Sequence, residues 1–181
     1  MIRIATAADL DAIADVHTRA RATYYRGHIP EEDYAGPGEL ARTRQGWQRA
    51  LARGDGSVLC AEQGGTVAGV AAYRAIDGAM TLTQLHVDPD RWSRGLGGAL
   101  HGACVEEWRR AGVTAARLEV YEHNLRAQSF YAKHGWRPDP DAPRAPDSAH
   151  LALRLGVGRP GERGGTREEL VSEFGVSVYV D

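Results

Sequence analysis

A β-rich run ending at Val87, a loop of seven residues (88–94) and a helical stretch opening on Gly95-Leu96-Gly97-Gly98 constrain this chain more than any other segment. Glycines let a backbone approach a ligand closely. The first N–H groups of a helix have no intrahelical acceptor, and the helix dipole adds positive potential at that end. The segment therefore predicts an anion site suited to a pyrophosphate. Two other phosphate-binding patterns fit less well. A Walker loop needs Lys and then Ser or Thr after its last glycine, whereas Gly98 is followed by Ala99 and Leu100. A dinucleotide fingerprint would follow its strand directly and would carry a small residue where Leu100 stands. A glycine-rich helix start with no ligand is the plain structural alternative.

The flanking sequence predicts a mixed α/β (α+β) fold. Residues 2–5 read as a short strand, and Thr6 with Asp9 makes a capping-box pattern before a helix carrying Leu10, Ile13, Val16 and Ala20 on one face. A second helix is expected over 38–52, with Leu40, Trp47 and Leu51 as its apolar residues, ending at Gly54-Asp55-Gly56. Runs 57–62 and 66–75, joined at Gln63-Gly64-Gly65, and a run 79–87 after Asp77-Gly78 predict an antiparallel meander. Residues 95–111 have helical periodicity, with Leu96, Leu100, Cys104 and Trp108 each four apart. The β-rich run 114–121 then implies a right-handed crossover and a parallel strand pair. A further helix over 125–134 closes at Gly135, Trp136 opens a strand, 139–146 is a Pro-rich loop, and 150–155 alternates like a final strand.

Composition narrows the function classes. A length of 181 residues suits one domain with one sizeable core. A net charge of -2, with arginines interleaved among acids, argues against nucleic acid or an anionic membrane as partner. Cys60 and Cys104 offer neither metal-ligand spacing nor a disulfide framework, so no metal is expected and a reducing cytoplasm is the natural setting. The start of the chain lacks the pattern of a secretory leader, and no stretch reads as a bilayer span.

A second segment carries chemistry: Asn124-Leu125-Arg126-Ala127-Gln128-Ser129-Phe130-Tyr131-Ala132-Lys133-His134-Gly135-Trp136. Asn124, at a strand-to-helix junction, can cap the helix or hold a ligand amide. Tyr131, about two turns into the helix, reads either as core or as a functional phenol. Taken with Val87-Asp88-Pro89 and Trp92-Ser93-Arg94-Gly95-Leu96-Gly97, this segment resembles the GNAT superfamily of acyl-CoA-dependent N-acetyltransferases. The family's phosphate motif is Gln/Arg-x-x-Gly-x-Gly/Ala after a strand ending in Val-x-Pro. Its second signature is Asn-x-x-Ala-x-x-Phe-Tyr-x-x-x-Gly-Phe. Trp92 stands where the first motif often has Gln or Arg, and Trp136 replaces the final Phe of the second. The resemblance is clear over 58–136 and extends across 2–155.

The resemblance implies a GNAT-type fold: a mixed central sheet with an antiparallel meander and a splayed parallel pair, flanked by about four helices. It implies acetyl-CoA as co-substrate and no metal. By resemblance, Leu85, His86 and Val87 pair with the pantetheine arm. Ser93, Arg94, Gly95, Leu96, Gly97, Gly98 and Ala99 hold the pyrophosphate. Asn124, Ala127 and Phe130 contact the same molecule, and Tyr131 protonates the departing thiolate. The implied activity is direct acetyl transfer to a primary amine with no covalent enzyme intermediate, driven by positioning and a backbone N–H at the carbonyl oxygen. An amine of pKa about 10 must lose its proton at a cost of roughly 4 kcal/mol at pH 7. Glu119 is one candidate base and His86 another, with Glu122 and His123 further removed, so the residues leave the base open.

By the same resemblance the acceptor pocket is shaped by the first two helices and the loop between them, together with the late strands. Tyr24, Tyr25, Glu31 and Glu32, with His28, Asp33 and Tyr34, offer negative charge and ring faces to a cationic amine. A solvated charge cluster is the plainer reading. A small-molecule amine is the first expectation and a protein N-terminus or lysine the second. A non-catalytic acyl-CoA-binding module is the alternative outside the enzymes. A longer acyl donor and a homodimer also fit the sequence. Residues 1–155 are expected to form the domain. Residues 156–181 read as a Gly-rich linker, a short helix with Thr166 and Glu169 in a capping box, and a strand alternating at Val176, Val178 and Val180.

Overall fold

Three consecutive β-rich runs become a meander because two glycine turns reverse the chain between them. β2 (Gly56–Gln63), β3 (Thr66–Ile76) and β4 (Ala79–Val87) are joined at Gly64-Gly65 and Asp77-Gly78, all four residues taking positive φ. The computed structural model describes residues 1–142, 144 and 146–158. β1 (Ile2–Ile4) adds antiparallel to β2. Beyond β4, helix α4 (Leu96–Arg110) crosses over to β5 (Ala115–Tyr121), followed by α5 (Leu125–Lys133), β6 (Arg137–Pro138) and β7 (His150–Gly156). The seven strands lie in the order β1-β2-β3-β4-β5-β7-β6.

One feature of this sheet positions the site. β4 and β5 are parallel, and among the described residues they pair only at Met80↔Ala116 and Thr81↔Arg117. Their carboxyl ends, at Val87 and Tyr121, carry no cross-strand pairing to each other. This is the splayed parallel pair the sequence resemblance implies. It leaves a gap in the sheet where neither strand satisfies its neighbour.

Each face of the sheet has its own core. α1 (Leu10–Tyr25) and α3 (Pro37–Ala52) place Ile13, Val16 and Trp47 on Val58, Cys60, Val70 and Ala72. On the other face Leu100, Cys104 and Trp108 of α4 meet Leu59, Ala71, Leu82 and Leu118. Alternate residues of β2 and β3 feed the two cores, which is why both strands read as nearly continuous apolar runs. Burial of each large side chain here contributes about 1.5–3 kcal/mol. Gly69 in β3 permits the close approach of α4. A Cβ there would stand 3.0 Å from Leu100 and 3.1 Å from the carbonyl oxygen of His86.

The start of α1 follows the expected capping box. Thr6 donates its backbone N–H to Asp9 Oδ2 at 2.8 Å, and Arg3 binds both oxygens of the same carboxylate at 2.8 Å each. Three details differ from expectation. A short helix, α2 (Glu32–Ala35), interrupts the loop after α1 and buries Tyr34. Leu40 of α3 is 42% exposed, so Trp47 carries the buried face of that helix. β7 runs to Gly156, and buried Val157 donates its N–H to Thr114 O at 2.9 Å, so the sheet extends past residue 155. Of the linker, capping box and strand expected over 156–181, residues 159–181 lie outside the described residues. No helix among the described residues is long and apolar enough to cross a membrane.

Candidate active site

Where β4 and β5 part, a cleft of about 1560 Å³ opens between α1, the start of α4 and α5. Pockets for compact ligands reach about 1,000 Å³, so this one suits a long molecule.

The loop after β4 is shaped to deliver the start of α4 to that cleft. Buried Asp88 caps a 3-10 turn over Pro89–Arg91, its Oδ1 accepting from Asp90 N at 3.1 Å. Arg19 of α1 reaches the same oxygen at 3.0 Å and ties the loop to the first helix. Trp92 bends back and donates its indole N–H to Val87 O at 3.0 Å. Gly95 then takes φ +76 at the N-cap of α4, a left-handed conformation costly to any residue with a Cβ. The first helical bond runs from Ala99 N to Gly95 O at 3.0 Å. The N–H groups of Leu96, Gly97 and Gly98 therefore have no helical acceptor, and these residues line the cleft. With no acid in the first turn of α4, the positive end of its dipole is uncompensated there.

α5 forms the adjacent wall. Asn124 caps it, accepting from Ala127 N at 3.1 Å, and Gln128 Nε2 donates back to Glu122 O at 2.7 Å. This corner holds Tyr131 in the cleft wall, 8% exposed and edge-on to Phe130 and Trp136 at 5.4 and 5.8 Å. Burial pushes the Tyr131 phenol above its usual range, and nearby Tyr24 adds to the effect. The phenol is therefore protonated across the neutral range.

The other face of the cleft is aromatic. Tyr24 and Tyr25, at the end of α1, lie 4.7 Å apart, and Tyr25 meets Tyr121 of β5 at 4.8 Å. His28 stacks on His123 at 4.3 Å, joining the loop after α1 to the loop after β5. Deeper in, the rings of His17 and His86 stack at 4.1 Å. Gln84 Oε1 lies 2.6 Å from His86 Nε2; an amide oxygen only accepts, so the imidazole donates. Burial holds His86 well below the usual imidazole range, and His17 and Arg21 push it further down. Burial, with Arg21, brings His17 down to about 4. Glu119, exposed on β5, shares the Tyr121 face and lines the cleft. Arg117, on that face too, contacts buried Asp139 at 3.0 Å.

Neither Cys60 nor Cys104 lines this cleft. Burial pushes their thiols up to about 11 and about 12, so neither supplies a thiolate nucleophile. Among the described residues no group of three or more His, Cys, Asp or Glu is arranged to hold a metal.

Residues 14–136 match the model of the acetyltransferase (GNAT) family. The chain belongs to the GNAT acetyltransferase family. Its fold is similar to that of the PaiA N-acetyltransferase from Thermoplasma acidophilum in complex with coenzyme A, at 21% identity and a TM-score of 0.77, over 86% of this chain and 98% of that one. It is also similar to a ribosomal-protein-alanine N-acetyltransferase from Brucella melitensis (20% identity, TM-score 0.62, 86% of this chain and 99% of that one). A GNAT acetyltransferase of Desulfovibrio desulfuricans, described as putative, aligns at 20% identity and TM-score 0.66, over 87% and 99% of the two chains. Among curated proteins none matches this sequence.

GNAT enzymes use acetyl-CoA as co-substrate, and this cleft fits it: three free amides at an acid-free helix start, then a strand edge without a partner. Leu85, His86 and Val87 line the cleft from β4, and Ser93 joins Gly95, Leu96, Gly97 and Gly98 at the start of α4. Asn124, Ala127, Phe130 and Tyr131 line it from α5. Arg94 and Ala99 do not; both are exposed and stand outside the lining. Of the residues expected to meet an acceptor, Tyr24 and Tyr25 line the cleft, whereas Glu31 and Glu32 do not. Those two acids sit exposed at the N-terminus of α2, where the helix dipole favours negative charge. His17, Arg126 and His134 line the cleft and were not singled out by sequence. His17 carried a usable signal, four residues after Ile13 on the buried face of α1.

Proposed function

We propose that this GNAT acetyltransferase moves the acetyl group of acetyl-CoA to a primary amine of a small molecule, by direct attack in a ternary complex. The observation that carries the reading is buried Tyr131 in the wall of one cleft whose lining also holds Tyr24, Tyr25 and Glu119. A small acceptor is favoured because aromatic side chains cluster at one end of the cleft. The tyrosine contacts at 4.7 and 4.8 Å and the His28–His123 stack at 4.3 Å gather ring faces suited to a compact cationic amine.

The residues divide the work by charge. Glu119 takes a proton from the acceptor ammonium, leaving a neutral nitrogen to attack the thioester carbonyl. As the carbon–sulfur bond breaks, Tyr131 donates a hydrogen bond to the sulfur. A phenol raised above pKa 10 transfers its proton to a thiolate of pKa about 8.5 only uphill, by more than about 2 kcal/mol. Tyr131 therefore stabilises developing charge first, and full protonation draws on the proton released by the amine. Glu119 is favoured over His86 in this reading, because burial of His86 disfavours the charged imidazolium that a base must become.

Mass analysis of products from mixtures of small primary amines and short peptides tests the acceptor class. Acetylation of a small amine, with peptides untouched, is the expected outcome. Acetylation confined to peptide N-termini or lysines would refute it.

A further inference from the structure

We propose that Arg126, held on the face of Trp92, grips a phosphate of coenzyme A in this protein. The inference rests on the family's co-substrate and is independent of the acceptor.

Trp92 occupies the motif position where the resemblance expects Gln or Arg, so the phosphate loop lacks a cation or amide at that point. The structure supplies one from another element. The Trp92 indole is pinned by its bond to Val87 O at 3.0 Å, and the Arg126 guanidinium carbon lies 3.9 Å from its ring centroid. Stacking on an aromatic face orients a guanidinium while leaving its N–H edges free. Those edges match the oxygens of a phosphate, which a planar fork can bind through two bonds. Both residues line the cleft beside Leu96, Gly97 and Gly98.

Local stability does not account for Arg126. It is the second residue of α5, where the helix dipole disfavours a cation. The first turns of α1, α2 and α3 each carry an acid, whereas those of α4 and α5 carry none. Among the described residues no carboxylate lies within ion-pair distance of Arg126. A guanidinium and two positive helix ends therefore face one cleft without protein counter-charge, and the ligand provides it.

Calorimetric titration of CoA into wild-type protein, Arg126→Ala, Trp92→Leu and the double variant tests this, with melting temperature confirming that each folds. Arg126→Ala should weaken CoA roughly tenfold at low salt, and the difference should shrink as salt rises. The double variant should lose no more than Arg126→Ala alone, because Trp92 acts through Arg126. Dephospho-CoA, which lacks the 3′-phosphate, separates the two phosphate sources. A loss retained with it assigns the contact to the pyrophosphate, and a loss abolished assigns it to the 3′-phosphate. Equal CoA affinity in wild type and Arg126→Ala, or a loss unchanged by salt, would overturn the proposal. Wild-type protein that bound no CoA would instead overturn the co-substrate assignment on which it rests.

Discussion

Trp47 donates its indole N–H to Nδ1 of His17 at 2.9 Å, which requires that nitrogen to stay unprotonated. On the other side of the sheet Trp136 does the same to Nε2 of His101, also at 2.9 Å. An indole nitrogen only donates, so each pair holds its imidazole neutral. Burial brings both His17 and His101 down to about 4, with Arg21 assisting at the first and His134 at the second.

The consequence is a defined loss of stability in acid. Exposed imidazoles in the unfolded chain titrate near 6.5. Between pH 6.5 and about 4 the unfolded state thus binds protons that folded His17 and His101 refuse, so stability falls as pH falls through that window. Buried His86 shifts the same way. Melting temperature should drop continuously from pH 6.5 to 4.5, and His101→Gln should flatten that slope. A melting temperature level across that range would contradict the assignment.

Gly95→Ala should cost stability and ligand together. The substitution meets no atom within 4 Å, so any effect comes from φ +76 and not from crowding. Left-handed backbone costs a residue with a Cβ roughly 1–2 kcal/mol. If the helix start shifts to relieve it, the free amides of Leu96 to Gly98 move too. We expect a lower melting temperature and weaker CoA binding by titration. A variant unchanged in both would show that the cradle does not depend on this conformation.

Glu119→Gln separates the base from the binding site. Loss of general-base assistance reduces turnover by roughly 10²–10⁴-fold, while CoA affinity should be preserved. Steady-state kinetics with a reactive small amine, beside CoA titration, reads both. Turnover near the wild-type value would remove Glu119 from the chemistry.

Thiol reagents should leave the folded protein intact. Cys60 and Cys104 are fully buried, and their thiols are pushed up to about 11 and about 12. Iodoacetamide at pH 8 should label neither in the native state and both after unfolding, read by mass. Rapid native labelling with loss of turnover would mean that a thiolate is accessible after all.

The parts of the site that could be read from sequence are those written into continuous stretches of chain. The cradle depends on backbone amides between Gly95 and Gly98, and glycine spacing reports backbone freedom directly. The α5 wall lies within 124–136, so its cap and its phenol appear together. β4 was bounded correctly at Ala79–Val87 because turn residues flank it. The aromatic side of the cleft was less legible because distant elements build it. Tyr25 meets Tyr121 and His17 stacks on His86 only once α1 packs across β4 and β5. Glu31 and Glu32 looked like cation ligands in a loop, but a four-residue helix that buries Tyr34 keeps them outside the cleft. Arg126 was hidden because its partner, Trp92, lies on another element.

Release of free CoA thiol from acetyl-CoA, followed with a small primary amine in wild type and Tyr131→Phe, tests the central claim most directly. The account predicts thiol release that requires the amine and falls at least about a hundredfold in Tyr131→Phe, with CoA affinity preserved. Amine-dependent release that proceeds equally fast without the Tyr131 hydroxyl would contradict it.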